Sequence, residues 1–303
     1  MIKTWFITGA ARGIGACIAR AALDAGDNVV ATGRDPRPIE RALPGHGERL
    51  LALRLDVTDP AQACDAVDRA VATFGRIDVL VNNAGYGQLG MFEENSADDV
   101  LKQFDTNVHG TLHVTRAVLP VMRRQRAGRI FNLSSIGGMV GFEGASIYCA
   151  AKFAVEGFSE SLALEVARFG IQVTIVQPGF FRTDFLDGSS VRYGAEAIPD
   201  YVSASAALRG GLRRLQPPAA RGSGQAGAGH RRTRRRAAGA VAFRGRHRCA
   251  RLHRRQARCR ARRTRAMEGA VGLDRSCGPG GVGHRLRPRP IMLLTPRRRG
   301  HAG

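Results

Sequence analysis

The chain lacks a long apolar run and a paired set of cysteines, and these absences exclude broad classes of protein. No apolar segment approaches the ~20 residues that a membrane-spanning helix needs. The six cysteines show no paired spacing, so a reduced, cytoplasmic compartment is the simplest interpretation. The apolar stretch that begins at Trp5 is interrupted by Arg12, Arg20 and glycines, which argues against a secretory signal.

Lysine is absent from the last part of the chain, and acidic residues are almost absent. Residues 209–303 contain 27 arginines, no lysine and two acids, Glu268 and Asp274. Because the whole chain carries +22 and this part carries +25, residues 1–208 carry −3. We therefore predict two regions, a globular domain over residues 1–208 and an irregular, disordered arginine-rich tail over residues 209–303.

The tail also lacks asparagine, tyrosine and tryptophan, and residues with GC-rich codons dominate it. One hypothesis is that it is a frameshift product, an out-of-frame translation of GC-rich DNA in place of a natural C-terminus. Resequencing of the gene tests this hypothesis. Just before the tail, residues 186–193 are predicted to form a mobile segment and residues 195–208 one or two short helices.

Short β-branched runs alternate with longer helical patterns through residue 178. The predicted strands are residues 4–8, 28–32, 50–55, 78–81, 129–133 and 172–176. The predicted helices between them are residues 14–25, 61–74, 97–124 and 148–168. This alternation predicts an α/β fold, a doubly wound parallel sheet in a Rossmann-type three-layer sandwich.

A glycine-rich turn follows the first predicted strand and leads directly into a helix. Its residues are Gly9, Ala10, Ala11, Arg12, Gly13, Ile14 and Gly15. Glycines permit a tight turn and close approach to a phosphate, and a helix N-terminus supplies free N–H groups. A glycine cluster alone is weak evidence, but this position between the first strand and the first helix favours dinucleotide binding.

The end of the second predicted strand bears on the choice of cofactor. An acid at this point suits the ribose hydroxyls of NAD, whereas an arginine suits the 2′-phosphate of NADP. Arg34, together with Arg12, favours NADP. Asp35 follows immediately and leaves NAD as the less favoured choice, and Arg34 as a solvated loop residue is the alternative.

Tyr148 and Lys152 lie four residues apart in a predicted helix, so their side chains share one helix face. Such a pair usually marks a solvated face. Here the helix comes after a strand that ends near Ser134 and Ser135, with the glycine turn far upstream. An active site is therefore the better interpretation.

These features together resemble the short-chain dehydrogenase/reductase family over roughly residues 3–208. The resemblance is carried by Thr8, Gly9, Gly13, Ile14, Gly15, Asp56, Val57, Asn82, Asn83, Ala84, Gly85, Asn107, Ser135, Tyr148, Lys152, Pro178 and Gly179. Each is a modest signal, but their joint order and spacing are specific. The resemblance implies an NAD(P)-dependent oxidoreductase that interconverts a secondary alcohol and a ketone by hydride transfer.

The resemblance also implies the catalytic roles. Tyr148 is expected to be the acid/base, with its pKa lowered by Lys152 and by the positive charge of the nicotinamide. Lys152 is also expected to bind the nicotinamide ribose. Ser135 is expected to bind the substrate oxygen. Ser134 is its rival, but successive strand residues face opposite ways, so only one of the two points inward. Asn107 is expected to hold a water in the proton relay to Lys152.

Further cofactor contacts are implied at three other places. The positions are Asp56 with Val57, Asn83 with Ala84 and Gly85, and Pro178 with Gly179 and Thr183. Asp56 is expected to contact the adenine, and Pro178, Gly179 and Thr183 the nicotinamide carboxamide. In the structural alternative, Asn82 and Asn83 only stabilise the turn before Gly85, and Pro178 with Gly179 only ends the sixth predicted strand.

No metal site is expected. His109 and His113 share a helical spacing that can bind a metal, but no carboxylate follows in the zincin pattern. The histidines and cysteines of the tail lack a zinc-type spacing.

The implied partners are a small carbonyl or alcohol substrate and a second copy of the chain, in a homodimer or homotetramer. Residues 97–124 and 148–168 are expected to form one subunit surface. Two alternatives stay open. The tail could bind nucleic acid non-specifically by neutralising phosphates. The molecule could also bind cofactor yet be inactive, because the tail departs from the family's last helix and strand and leaves a sheet edge exposed.

Overall fold

The computed structural model describes residues 1–178, residues 190–215 and the strand Met292–Leu294, with side chains described through residue 211 of the second range. Gly179 and Thr183, both predicted to contact the cofactor, lie outside the described residues, as does most of the arginine-rich tail. The nucleic-acid hypothesis rests on that tail and therefore stays a sequence-based hypothesis.

The described residues form one large parallel sheet and one small one. The strands are β1 (Thr4–Thr8), β2 (Asn28–Gly33), β3 (Leu50–Arg54), β4 (Val79–Asn82), β5 (Gly87–Leu89), β6 (Gly128–Leu133), β7 (Ile171–Pro178), β8 (Val191–Tyr193) and β9 (Met292–Leu294). The large sheet has the order β3-β2-β1-β4-β6-β7-β9, and β5 pairs with β8. All pairs are parallel, so the carboxyl ends of the large sheet's strands lie along one edge.

Helices cover the large sheet. They are α1 (Gly13–Asp24), α2 (Arg37–Ala42), α3 (Pro60–Phe74), α4 (Ala97–Phe104), α5 (Gly110–Gln125), α6 (Ser146–Val166) and α7 (Val202–Leu215). The sequence explains the ends of α3 well. The Asp59 side chain accepts hydrogen bonds from two first-turn N–H groups, Pro60 needs no partner for a missing N–H, and Gly75 ends the helix at φ 75°.

The strands carry buried apolar side chains on both faces. Phe6 and Ile7 are neighbours in β1, and both are fully buried on opposite sides. Phe6 packs in a cluster with residues of α3, α5 and α6, such as Val118. Ile7 packs in a second cluster with residues of α1, such as Leu23. The predicted three-layer α/β sandwich is confirmed.

Several elements differ from the prediction. The predicted helix over residues 97–124 is divided by a π-helical turn, Asp105–His109. The turn was not predicted because the helical spacing of apolar residues continues through it. The short elements α2, β5 and β8 were not predicted, since three to six residues are too few to show a period. Val191–Tyr193 falls inside the segment predicted to be mobile.

The C-terminal residues also depart from the prediction. Helix α7 runs to Leu215 and so passes the predicted boundary at residue 208. The expectation of an exposed sheet edge beside β7 is wrong for three residues, since Met292, Leu293 and Leu294 pair with the last three residues of β7. These three residues lie in a short apolar run within the arginine-rich tail. The run is too short to show the periodicity that predicts a strand.

No helix within the described ranges is both long enough and apolar enough to cross a membrane.

Candidate active site

The residues predicted to form the site lie mostly at the carboxyl edge of the large sheet. The glycine turn follows β1, Asn83 follows β4, and Ser135 comes two residues after the end of β6. In open parallel sheets this edge is where nucleotide ligands bind, because the loops that leave the strands form a crevice there. The fold therefore brings together segments that are far apart in the sequence.

The glycine turn is shaped by positions where a side chain has no room. Gly9 has φ 64°, and a Cβ there would lie 2.9 Å from the Ala84 Cα. A Cβ at Gly15 would lie 2.5 Å from the Gly9 carbonyl oxygen. Gly13 has φ 55° and faces open space, with nothing within 4 Å of an added Cβ. The residues present therefore fit a bound pyrophosphate, for which Gly13 leaves space.

The first turn of α1 supports the same interpretation. Arg12 precedes this helix in an extended conformation, and its side chain does not cap the helix. The first N–H groups of α1 therefore remain suitable donors for a phosphate at the helix N-terminus. Ile14, the second residue of the helix, packs against the α1 side of the core. It shapes the turn through packing.

Thr8 and Asn83 fasten the glycine turn to the end of β4. The Thr8 hydroxyl accepts hydrogen bonds from the main-chain N–H groups of Asn83 and Ala84, each at 3.0 Å. The Asn83 side-chain amide donates to the carbonyl oxygens of Thr8 and Gly9, at 2.9 and 3.0 Å. Asn83 thus stabilises the glycine turn after β1, and not only the turn before Gly85. Sequence reasoning missed this role of Thr8, whose signal is a hydroxyl directly before the first glycine.

The loop after β2 brings a carboxylate and two arginines close together. Arg34 is exposed, and Asp35 is bound by Arg37 through its Nε at 3.0 Å and its Nη2 at 2.8 Å. The hydrogen bond from Arg37 lowers the pKa of Asp35. Asp35 is thus charged but already paired, which leaves Arg34 as the neighbouring cation. Sequence reasoning assigned no role to Arg37.

Asp56 and Val57 lie just past β3. One Asp56 carboxylate oxygen accepts from the Thr58 N–H at 3.1 Å and from its hydroxyl at 2.8 Å. Val57 is buried, and its carbonyl oxygen lies 3.1 Å from His113 Nδ1. His109 pairs instead with Asp105 at 2.9 Å. Among the described residues, no group of three or more potential metal ligands comes together.

Ser135, Tyr148 and Lys152 come together between the end of β6 and the first turns of α6. The Ser135 side chain hydrogen-bonds to Tyr148. The Lys152 ammonium lies 5.9 Å from the centroid of the Tyr148 ring and donates to the Leu133 carbonyl oxygen at 2.7 Å. Tyr148 also packs against a small apolar cluster that includes Cys149 and residues of β5 and β8. The three predicted catalytic side chains therefore lie close together in the structure.

Burial moves both pKa values toward the neutral forms of these side chains. It raises the pKa of Tyr148 to about 12, although the Ser135 hydrogen bond acts in the opposite direction. It lowers the pKa of Lys152 to about 8, although the Glu156 carboxylate opposes the shift. We expected a lowered pKa for Tyr148. The protein alone gives the opposite direction, because the loss of hydration outweighs the hydrogen bond.

Asn107 is buried within the π-helical turn and binds the main chain of Tyr86. Its side chain accepts from the Tyr86 N–H at 3.0 Å and donates to the Tyr86 carbonyl oxygen at 2.9 Å. A Cβ on Gly85 would lie 3.1 Å from the Asn107 side-chain oxygen, so Gly85 leaves room for this contact. The Asn107 side chain thus holds the segment after β4 in place through two hydrogen bonds.

A chain of buried side-chain amides and hydroxyls supports the strands beneath the site. The Asn82 amide donates to the Thr115 hydroxyl at 2.9 Å and to the Asn132 side-chain oxygen at 2.8 Å. The Asn132 amide donates in turn to the Ser159 hydroxyl at 2.8 Å. This chain links β4 and β6 to α5 and α6. Sequence reasoning missed it, although an asparagine inside the apolar run of β6 was a usable signal.

Pro178 is the last residue of β7, at the carboxyl edge of the large sheet.

The parallel sheet and its glycine turn define a nucleotide-binding protein of the Rossmann type. The model of the short chain dehydrogenase family matches residues 3–192, and the chain belongs to this family of oxidoreductases. The oxidoreductase BOA17 of Botryotinia fuckeliana is 45% identical over 215 residues, which cover 71% of this chain and 78% of that protein. The 3-ketodihydrosphingosine reductase of Bacteroides thetaiotaomicron is 42% identical over 196 residues, which cover 65% of this chain and 70% of that protein.

Solved structures agree. A short-chain dehydrogenase from Streptomyces avermitilis superimposes with a TM-score of 0.66 at 41% identity, over 72% of this chain and 79% of that one. A short-chain dehydrogenase/reductase from Burkholderia phymatum, solved in complex with NAD, gives 0.64 at 31% identity, over 71% of this chain and 79% of that one.

Proposed function

We propose that the protein is an NADP-dependent oxidoreductase that interconverts a secondary alcohol and a ketone. The observation that carries the proposal is the convergence of Ser135, Tyr148 and Lys152 at the carboxyl edge of the sheet. The cofactor, when bound, supplies or accepts the hydride. The chain's own residues then have to hold the substrate oxygen and move one proton.

In this proposal Tyr148 moves the proton through its phenolic oxygen. Its pKa of about 12 means that the phenol is protonated at neutral pH, as the donor in ketone reduction must be. Ser135 already hydrogen-bonds to Tyr148, so the two hydroxyls are close enough to bind one substrate oxygen together. Lys152 brings a positive charge that stabilises the phenolate left after donation.

Two further roles complete the proposed proton path. Lys152 is proposed to hydrogen-bond the nicotinamide ribose as well. Asn107 is proposed to hold a water that links Lys152 to solvent, and its π-helical turn contacts α6, which carries Lys152.

The cofactor is proposed to lie along the sheet edge. Gly9, Gly13 and Gly15 with the N–H groups of α1 would hold the pyrophosphate, and Arg12 and Arg34 the 2′-phosphate. The remaining proposed contacts are Ile14, Asp56, Val57, Asn83, Ala84, Gly85, Pro178, Gly179 and Thr183. The pairing of Asp35 with Arg37 supports NADP over NAD, because a paired carboxylate repels the 2′-phosphate less than a free one.

The substrate is proposed to be a small molecule with an apolar part beside its carbonyl. Tyr148 packs on a cluster that includes the apolar residues Leu89, Ala145 and Val191. One relative is named as a reductase of a keto compound, and this name supports a ketone as the physiological substrate.

We further propose that the chain forms a homodimer or homotetramer in the cytoplasm. A groove between α5 and α6 is lined by apolar side chains such as Leu119 and Phe158. Leu101 on α4 and Leu164 on α6 are exposed large apolar residues. Such faces bury apolar area when a second copy covers them. The free cysteines Cys17, Cys64 and Cys149 support a reducing compartment.

The proposal is tested by supplying the full chain with a panel of ketones and either NADPH or NADH, and following cofactor oxidation. We expect turnover of at least one ketone, faster with NADPH. The Tyr148→Phe variant is the inactive control, and Tyr201→Phe, at an exposed tyrosine bonded to Glu93, is the matched control. If both tyrosine variants turn over ketone at the wild-type rate, the proposal fails.

A further inference from the structure

Glu156 extends the line of functional residues along α6. Tyr148, Lys152 and Glu156 follow one another at intervals of four residues, so they share one face of the helix. Lys152 is therefore flanked by the phenol on one side and by a carboxylate on the other. Neither the catalytic roles above nor the cofactor contacts use this carboxylate.

A buried amide of a neighbouring strand holds the Glu156 carboxylate. The side-chain amide of Gln177, on β7, donates to both carboxylate oxygens at 2.9 Å. Gln177 is only 4% exposed, so this contact is made inside the protein. Ser134, also 4% exposed, lies on the same side of Gly138 as the carboxylate.

Gly138 leaves the space that this arrangement needs. A Cβ at residue 138 would clash with the Ser134 hydroxyl and would lie 3.0 Å from a carboxylate oxygen of Glu156. The loop between Ser135 and α6 therefore passes close to the carboxylate. The position of Glu156 is therefore fixed from β7, and this loop limits the space around it.

We propose that Glu156 is a positioning residue, which keeps the buried Lys152 ammonium charged and in place, while Gln177 holds Glu156. The inference rests on the function proposed above for Lys152. An ammonium is costly to bury unless a negative charge lies near it, and Leu133 supplies only a carbonyl oxygen. Glu156, one helical turn away, supplies the charge.

The titration behaviour of the two groups supports this coupling. Burial lowers the pKa of Lys152, and Glu156 raises it. Burial raises the pKa of Glu156 above its ordinary value, although Gln177 and Lys152 act in the opposite direction. Glu160, one turn further along α6, adds to the rise. Of the side chains on facing segments, Ser134 and Gln177 carry no charge, so Glu156 is the carboxylate that acts on Lys152.

The test measures the Lys152 titration directly, without substrate or cofactor. The chain has three lysines, Lys3, Lys102 and Lys152, so NMR of the full chain labelled with ¹³C at lysine Cε gives a spectrum simple enough to assign with Lys3→Arg and Lys102→Arg. We expect Glu156→Gln to move the Lys152 midpoint down by about one pH unit, a tenfold change in its protonation equilibrium. Glu156→Asp should restore part of the shift.

Glu160→Gln is the matched control, since it removes the same charge from the next turn, at an exposed position. It should leave the Lys152 midpoint where it is in the wild type. A midpoint that Glu156→Gln leaves unchanged, or that Glu160→Gln lowers equally, overturns the proposal. If Glu156→Gln does not fold, Gln177→Met takes its place. Gln177→Met removes the amide that holds the carboxylate, and it should lower the Lys152 midpoint by a smaller amount; no change would overturn the proposal.

A second readout connects Glu156 to turnover. In an active preparation, Glu156→Gln should shift the alkaline limb of the kcat/KM profile to lower pH, and Glu160→Gln should not. A structural role alone would lower kcat/KM without moving the limb. If no carbonyl compound is turned over, the proposed function fails, and the NMR titration still decides whether Glu156 controls Lys152.

Discussion

The Lys152 ammonium donates a hydrogen bond to the carbonyl oxygen of Leu133 at 2.7 Å. Leu133 is the last residue of β6, two positions before Ser135. This bond joins α6 to the end of the strand and sets Lys152 and Ser135 at a fixed separation. The direct acceptor is neutral, and burial outweighs the Glu156 carboxylate in its effect on the Lys152 pKa, so the buried cation is costly for the stability of the fold.

We therefore predict that Lys152→Met abolishes activity but raises the free energy of unfolding at neutral pH by roughly 1–3 kcal/mol. The folded pKa of Lys152, about 8, lies below its ordinary value of 10.5, so the cost is complete below pH 8. It disappears as the pH rises from 8 to 10.5, because the unfolded chain binds the extra proton in that window. Urea titrations at pH 7 and pH 10 measure the effect. A variant less stable than the wild type at pH 7 would contradict it.

The Tyr148→Phe variant should lose turnover by about 10²–10⁴-fold, because it removes the proton donor and little volume. Cofactor affinity, measured by fluorescence titration, should change by less than about threefold, since the substitution leaves the other proposed cofactor contacts in place. Tyr193→Phe is a second control, because Tyr193 packs in the same apolar cluster. An equal loss in both variants would show that packing, and not proton transfer, is what the substitution disturbs.

The sequence was sufficient to predict the features that depend on the local spacing of residues. Strand and helix alternation identified six of the seven strands of the large sheet. The spacing of Tyr148 and Lys152 placed both on one helix face. The pattern could not show polar contacts between distant segments. The link from Thr8 to Asn83, or from Gln177 to Glu156, joins residues that meet only after the sheet has formed.

The direction in which the Tyr148 pKa is shifted illustrates the same limit of sequence reasoning. The sequence showed a cation one turn away, and this predicts a lowered pKa. Burial acts in the opposite direction and outweighs the hydrogen bond from Ser135. Burial is a property of the packed structure, and no spacing of residues reports it.

Thr8 offers a test of the contact that holds the glycine turn. Thr8→Val keeps the shape of the side chain but leaves the N–H groups of Asn83 and Ala84 without their acceptor. We expect a loss of about 1–3 kcal/mol in the free energy of unfolding, and weaker cofactor binding because the turn loosens. Thr8→Ser keeps the hydroxyl and should recover most of both. Thermal unfolding with and without NADPH measures the two effects; equal behaviour of Val and Ser would contradict the assignment.

The proposed subunit surface is tested at Leu164. This residue lies on α6 and is 60% exposed, and Val202 on α7 is 61% exposed, so the two form a matched pair. Leu164→Glu would place a charge in the proposed interface and should shift the oligomer toward monomer, while Val202→Glu should not. Light scattering after size exclusion measures the masses. Wild-type mass for both variants would exclude this face as the interface.

Cofactor selection should depend on the loop after β2. Arg34→Ala should raise the KM for NADPH by about tenfold and leave the KM for NADH unchanged, because only the 2′-phosphate needs the arginine.

Arg37 tests the same selectivity through Asp35. In the wild type the Arg37 side chain pairs with the Asp35 carboxylate at 2.8 Å, and Arg37→Ala should release this carboxylate. A released carboxylate repels the 2′-phosphate and accepts from ribose hydroxyls, so NADPH should weaken while NADH improves. Arg69→Ala, at an exposed position on α3, is the control. Initial rates with both cofactors give the four KM values. If Arg37→Ala weakened NADPH and NADH alike, Arg37 would be supporting the loop and not setting the selectivity.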